Sequence, residues 1–133
     1  MNLPTPPKPG RRPDRPAGTR PLVLGNLTLA VGRAMGTVVV TVKGTVGEEG
    51  RRLLEGVLTD LIEGQGNLTV AVDLGKATVD CPAVIILGAA AERARGHGGT
   101  FIVKAPPANV YAALQATGLD RLMEVLPRRE EAS

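Results

Sequence analysis

Two runs of β-branched and aliphatic residues, Thr37-Val38-Val39-Val40-Thr41-Val42 and Leu68-Thr69-Val70-Ala71-Val72-Asp73-Leu74, flank a segment with the periodicity of an amphipathic helix. That arrangement limits the fold more than any other feature of the chain. In the intervening segment Leu53, Leu54, Val57, Leu58, Leu61 and Ile62 fall on one stripe of a 3.6-residue helix. Arg51, Arg52, Glu55, Asp60 and Glu63 fall largely on the other side, so the helix covers a sheet on one face and meets water on the other. Glu48 and Glu49 suit its positive end, and Gly64 and Gly66 are expected to close it. The connection is long enough for the two strands to pair in parallel, as a βαβ unit requires.

The pattern then repeats. Gly75 to Asp80 reads as a connection, and Pro82 to Arg95 as a second helix, with Asp80 or Cys81 at the cap and Pro82 tolerated in the first turn. Gly96, Gly98 and Gly99 end that helix and lead into the strand Thr100-Phe101-Ile102-Val103. Pro106-Pro107 introduces a third helix containing Val110 and Leu114, broken at Thr117-Gly118-Leu119, and Leu122 to Leu126 form an edge segment. Upstream, Leu22-Val23-Leu24 and Leu27, Leu29 and Val31 form either a strand interrupted at Gly25-Asn26 or a short hairpin. The reading is an α/β fold with a mixed sheet of about four or five strands and helices mainly on one face.

A chain of 133 residues with 43% hydrophobic content builds one core. Only Phe101 and Tyr111 are aromatic, so the core is made of Val, Leu, Ile and Ala, and recognition of nucleic acid by base stacking is disfavoured. The net charge of +3 is unevenly spread. Residues 1–20 carry Lys8, Arg11, Arg12, Arg15 and Arg20 against Asp14, together with six of the eleven prolines. They read as a disordered basic arm, residues 21–127 as the domain, and residues 128–133 as a frayed tail. The basic and acidic residues of the remainder nearly cancel, which marks no polyanion-binding surface on the folded part. No apolar run is long enough to span a membrane and the start has no signal-peptide core, so the expected location is the cytoplasm.

Chemistry-bearing residues are few. One cysteine, Cys81, and one histidine, His97, cannot supply a zinc site, and no phosphate-binding glycine loop marks a nucleotide pocket, so neither metal nor cofactor is expected. His97 sits in the turn Arg95-Gly96-His97-Gly98-Gly99 without an identifiable partner for acid–base work, and the adjacent pairs Glu48-Glu49 and Glu130-Glu131 read as solvated charges. No enzymatic constellation emerges. Cys81 at a helix start is a setting in which a thiol can become reactive, but no second cysteine is available to resolve it, and buried unreactive cysteine is the commoner case.

The segment Asp80-Cys81-Pro82-Ala83-Val84, with Ile85-Ile86-Leu87-Gly88 after it, resembles the signature region of the STAS domain, a family that includes bacterial anti-sigma factor antagonists. Gly98-Gly99-Thr100-Phe101-Ile102-Val103 is similar to the family's Gly-Gly pair before a strand, and Ala113-Leu114-Gln115-Ala116-Thr117-Gly118-Leu119 to its late helix and Gly-Leu turn. The likeness runs over about residues 22–126. The family's signature loop reads Asp-Ser-Ser-Gly. Asp80 keeps the first position, Cys81 matches the first serine, Pro82 the regulatory serine and Ala83 the glycine. Gly44-Thr45-Val46-Gly47 matches the family's Gly-Glu-Leu-Asp turn without its two acids.

The resemblance implies a protein-binding switch in transcriptional control whose partner is an anti-sigma factor of the histidine-kinase-like ATPase class. Because Pro82 has no hydroxyl, phosphorylation at the family position is absent. The implied partner surface comprises Gly44, Thr45, Val46 and Gly47 together with Thr78, Asp80, Cys81, Pro82, Ala83 and Val84. Two other readings remain open: a thiol-based sensor or small enzyme centred on Cys81, and a structural subunit of a STAS assembly or homo-oligomer.

Overall fold

The computed structural model describes residues 21–65 and 69–127. Residues 1–20 and 128–133, Gly66, expected to help close the first helix, and Leu68, expected in the strand after it, lie outside the described residues. Within them, the strands are β1 (Leu22–Leu24), β2 (Leu27–Ala34), β3 (Thr37–Val46), β4 (Thr69–Val79), β5 (Thr100–Lys104) and β6 (Glu124–Leu126). The helices are α1 (Glu48–Thr59), α2 (Ala83–Gly96) and α3 (Ala108–Thr117), with a π-helical turn at Asp60–Gly64 and a 3-10 turn at Leu119–Leu122.

All six strands form one sheet in the order β1-β2-β3-β4-β5-β6. The first three pair antiparallel and β3 through β6 pair in parallel. The four or five strands expected from sequence become six because the Gly25-Asn26 interruption is a hairpin and the last apolar segment is a true edge strand. Each parallel step moves one place along the sheet with a helical connection, and crossovers of a single hand place such connections on one face. The burial pattern agrees. Val38, Val40 and Val42 of β3 are buried beneath the helices, while Thr37, Val39 and Thr41 on the other face are half-buried.

The core is aliphatic apart from Phe101. Leu27, Leu29, Val40, Leu54, Leu58, Ile62, Leu74, Leu87, Val110 and Leu114 are among its fully buried members. Gly88 lets α2 approach the segment after α3 closely, since a methyl group there would lie 3.0 Å from Leu119. The α-helical part of α1 ends at Thr59 rather than at the glycines. The wider π turn that follows, closed by the Gln65 N–H donating to Asp60 O at 2.9 Å, brings both Leu61 and Ile62 into the core.

The sequence reading of residues 75–80 as a connection is corrected. β4 continues to Val79, and β3 and β4 step past one another at a bulge between the Thr41–Asp73 and Lys43–Lys76 pairs. There the Asp73 carboxylate accepts the Gly75 N–H at 2.9 Å, a local bond that mimics a turn inside a strand. Gly44 has φ +104, and a Cβ on it would lie only 2.0 Å from Asn26 O. The β1–β2 turn is therefore pressed directly against β3, and only glycine fits.

Candidate functional site

The carboxyl ends of β3 and β4 are the place where the fold gathers the residues singled out above, and such strand ends are where open α/β sheets present functional groups. Gly44, Thr45 and Val46 are not a loop but the last residues of β3, paired with Ala77, Thr78 and Val79 of β4. Gly47 follows as the residue before α1, and Asp80, Cys81 and Pro82 lead into α2. The two sequence segments expected to lie side by side are thus hydrogen-bonded neighbours.

Their side chains divide. Thr45, Thr78, Cys81 and Pro82 are exposed, whereas Val46, Ala83 and Val84 are buried in the core. Those three hold the surface in place from beneath and offer no side chain to a partner. Cys81 is exposed, against the sequence expectation of a buried thiol. It follows the end of β4 in a turn, so neither sheet nor helix covers it.

Asp80 does not cap α2. Its carboxylate reaches the Arg51 guanidinium on the first turn of α1 at 2.5 Å, linking residues 29 positions apart, while its other oxygen is buried without a partner. The Ala83, Val84 and Ile85 amides donate to the Asp80, Cys81 and Pro82 carbonyls at 3.1, 3.0 and 3.1 Å. Pro82 already has helical dihedrals, φ −58 and ψ −17, so the helix opens with a tight turn whose amides are used internally. Those amides are not left to receive an anion at the thiol or at position 82. The Asn109 side-chain amide, on the first turn of α3, donates to Val79 O at 2.8 Å and lies 3.9 Å from the Cys81 sulfur.

Three contributors escaped the sequence reading. Arg51 and Asn109 are polar residues on helix first turns, and only the crossovers bring them to residues 79–81. Ile85 is 70% exposed and follows Pro82 on the same face of the site. Its signal was present: Val84-Ile85-Ile86-Leu87 is apolar all round a helical turn, and a helix packed on one side must turn one such residue outward. His97 is exposed at the far end of α2, away from this surface. Among the described residues no cluster of three His, Cys, Asp or Glu could hold a metal ion, and no helix is long and apolar enough to cross a membrane.

A single mixed sheet shielded on one face, with an exposed loop entering the second helix, defines a STAS-type fold. A family model described as Mlab, STAS domain, matches residues 29–127, and the chain belongs to the STAS domain family. Among solved structures, an anti-sigma factor antagonist from Mycobacterium paratuberculosis is 23% identical with a TM-score of 0.67, over 84% of this chain and 95% of that one. A candidate anti-sigma factor antagonist from Thermotoga maritima is 18% identical with a TM-score of 0.67, over 78% and 90% of the two chains. The Bacillus cell fate determinant SpoIIAA in its phosphorylated form is 17% identical with a TM-score of 0.62, over 78% and 95%. At these identities the likeness is one of fold. A search of curated proteins returned no match.

Proposed function

We propose that this STAS domain is a protein-binding switch of the anti-sigma factor antagonist kind, acting in the cytoplasm without phosphorylation at the family position and catalysing no reaction itself. The observation that carries this reading is the entry to α2. By the family resemblance Pro82 matches the regulatory serine, and the amides of residues 83–85 are engaged with the carbonyls of residues 80–82. A phosphoryl group would have neither an acceptor hydroxyl at 82 nor those amides to meet it.

What the entry does offer is contact surface. Cys81, Pro82 and the 70%-exposed Ile85 stand out from a base fixed by buried Ala83 and Val84 and by the Arg51–Asp80 ion pair. An exposed aliphatic side chain on a rigid helix turn is the type of anchor that fills a partner's pocket. The partner we assign is an anti-sigma factor of the histidine-kinase-like ATPase class, on the strength of the family and of what its solved relatives are called.

The test mixes the purified full-length chain with such an anti-sigma factor from the same organism, with and without ATP. A complex of equal stability in both conditions, with no phosphate within residues 78–84 by mass spectrometry, is the expected result. Ile85→Asp should abolish the complex while leaving the fold intact by circular dichroism. Phosphate on Thr78, or a complex indifferent to Ile85→Asp, would refute the reading.

A further inference from the structure

The chain has four lysines, and three of them, Lys43, Lys76 and Lys104, lie on β3, β4 and β5. Lys43 and Lys104 each follow a buried residue, Val42 and Val103, and Lys76, beyond the bulge, is followed by Ala77, which packs against the core, so all three belong to the sheet face away from the core. Lys43 and Lys76 are direct register partners, and one step further along the strands Thr45 pairs with Thr78. The side chains of Lys43, Thr45, Lys76 and Thr78 are all exposed. Two ammonium groups side by side on neighbouring strands repel one another, so the pair weakens the sheet where it stands.

Nothing within the described residues relieves it. The ion pairs there join Arg51 to Asp80, Arg52 to Glu48 and Arg93 to Glu63, and none includes a lysine. Asp73, on the same face, accepts the Gly75 N–H. The corner thus presents two flexible cations and two hydroxyls with no internal anion, beside the strand ends that lead into Gly47 and Asp80.

We propose that this corner, Lys43, Thr45, Lys76 and Thr78, receives an acidic segment of the protein partner; the proposal rests on the partner-binding reading and names the charge character of that partner. Neighbouring strands lie about 4.8 Å apart, so the register partners Lys43 and Lys76 stand close enough for both ammonium groups to reach the same carboxylate of an extended acidic segment laid over the corner. A planar anionic surface such as a membrane fits less well, because it would cover the whole sheet face and meet Asp73 and Glu124 with like charge, whereas a short segment confined to the Lys43–Lys76 and Thr45–Thr78 pairs lies past Asp73 toward the strand ends.

The experiment is a titration of the isotopically labelled full-length chain with a short polyglutamate peptide, read by amide chemical shifts. Residue-resolved signals separate the corner from the five basic residues of the arm 1–20. The expected result is a set of shifts centred on residues 43–46 and 76–79, with binding roughly tenfold weaker in K43Q/K76Q, the scale for losing two exposed charge pairs. Shifts confined to the arm, binding unchanged in K43Q/K76Q, or the same shifts from inorganic phosphate at equal concentration would overturn the proposal. A partner complex abolished by Ile85→Asp but indifferent to K43Q/K76Q would overturn the corner and leave the binding surface at α2 standing. Peptide binding at the corner alongside a complex indifferent to Ile85→Asp would instead uphold the acidic ligand and remove the α2 surface.

Discussion

Alanine at Gly44 and alanine at Gly56 are the same chemical change with opposite expected signs. At Gly44 the backbone has φ +104, a region L-residues avoid, and the added methyl would sit 2.0 Å from Asn26 O and 2.9 Å from its carbonyl carbon. Both obstacles are backbone atoms, so no rotamer change can make room. The conformational penalty alone is about 1–2 kcal/mol, and separating the atoms by more than 1 Å means moving the β1–β2 turn off β3. A total loss of about 3 kcal/mol or more is expected for Gly44→Ala, in the range of severe single substitutions. Gly56 lies on the exposed side of α1, and a methyl group added there would meet nothing within 4 Å. Alanine at that position only reduces backbone freedom, and Gly56→Ala should add about 0.5–1 kcal/mol. Urea unfolding of both variants beside the parent measures the difference, and the melting temperatures should diverge by roughly 12 °C or more. A Gly44→Ala loss below about 1 kcal/mol, with the slope against urea unchanged, would mean that the close approach of Asn26 to β3 is not a feature of the folded protein.

Four further substitutions probe the core and the site. Arg51→Met should cost about 1 kcal/mol, discounted for the partial exposure of both partners, and a double-mutant cycle with Asp80→Asn should show coupling between them. Additive effects would mean that the ion pair does not hold the loop. Cys81 is exposed, so Ellman's reagent should titrate one thiol per chain without denaturant, and Cys81→Ser should change stability by less than about 0.5 kcal/mol; a thiol that reacts only after unfolding contradicts its placement. Phe101→Ala, at 1% exposure in a core otherwise built of aliphatic side chains, should cost about 3–5 kcal/mol by calorimetry or urea melts.

Much of the fold was legible because two periodicities dominate the chain. The β-branched run at 37–42 and the stripe from Leu53 to Ile62 leave little choice of element, and the glycines at 98–99 mark the return to the sheet. What could not be read was set by pairings distant in sequence. Gly75 and Lys76 look like turn residues, yet the bulge and the Asp73 side chain keep both in β4, with Lys76 paired to Lys43 of β3. Val46, Ala83 and Val84 fell within segments chosen for their position in a motif, and strand and helix phase, not motif, decides which side chain faces out. Arg51 and Asp80 meet only because the crossover brings the start of α1 back beside the start of α2.

The strand order carries a consequence for how the molecule is made. Every strand from β2 onward pairs with its immediate predecessor, so no position in the sheet waits for a later segment to fill it. As the chain leaves the ribosome, each strand can dock on an edge that already exists, and each helix can cover the strip of sheet just completed. Assembly can therefore run in the direction of synthesis, with a single unfinished edge at any moment.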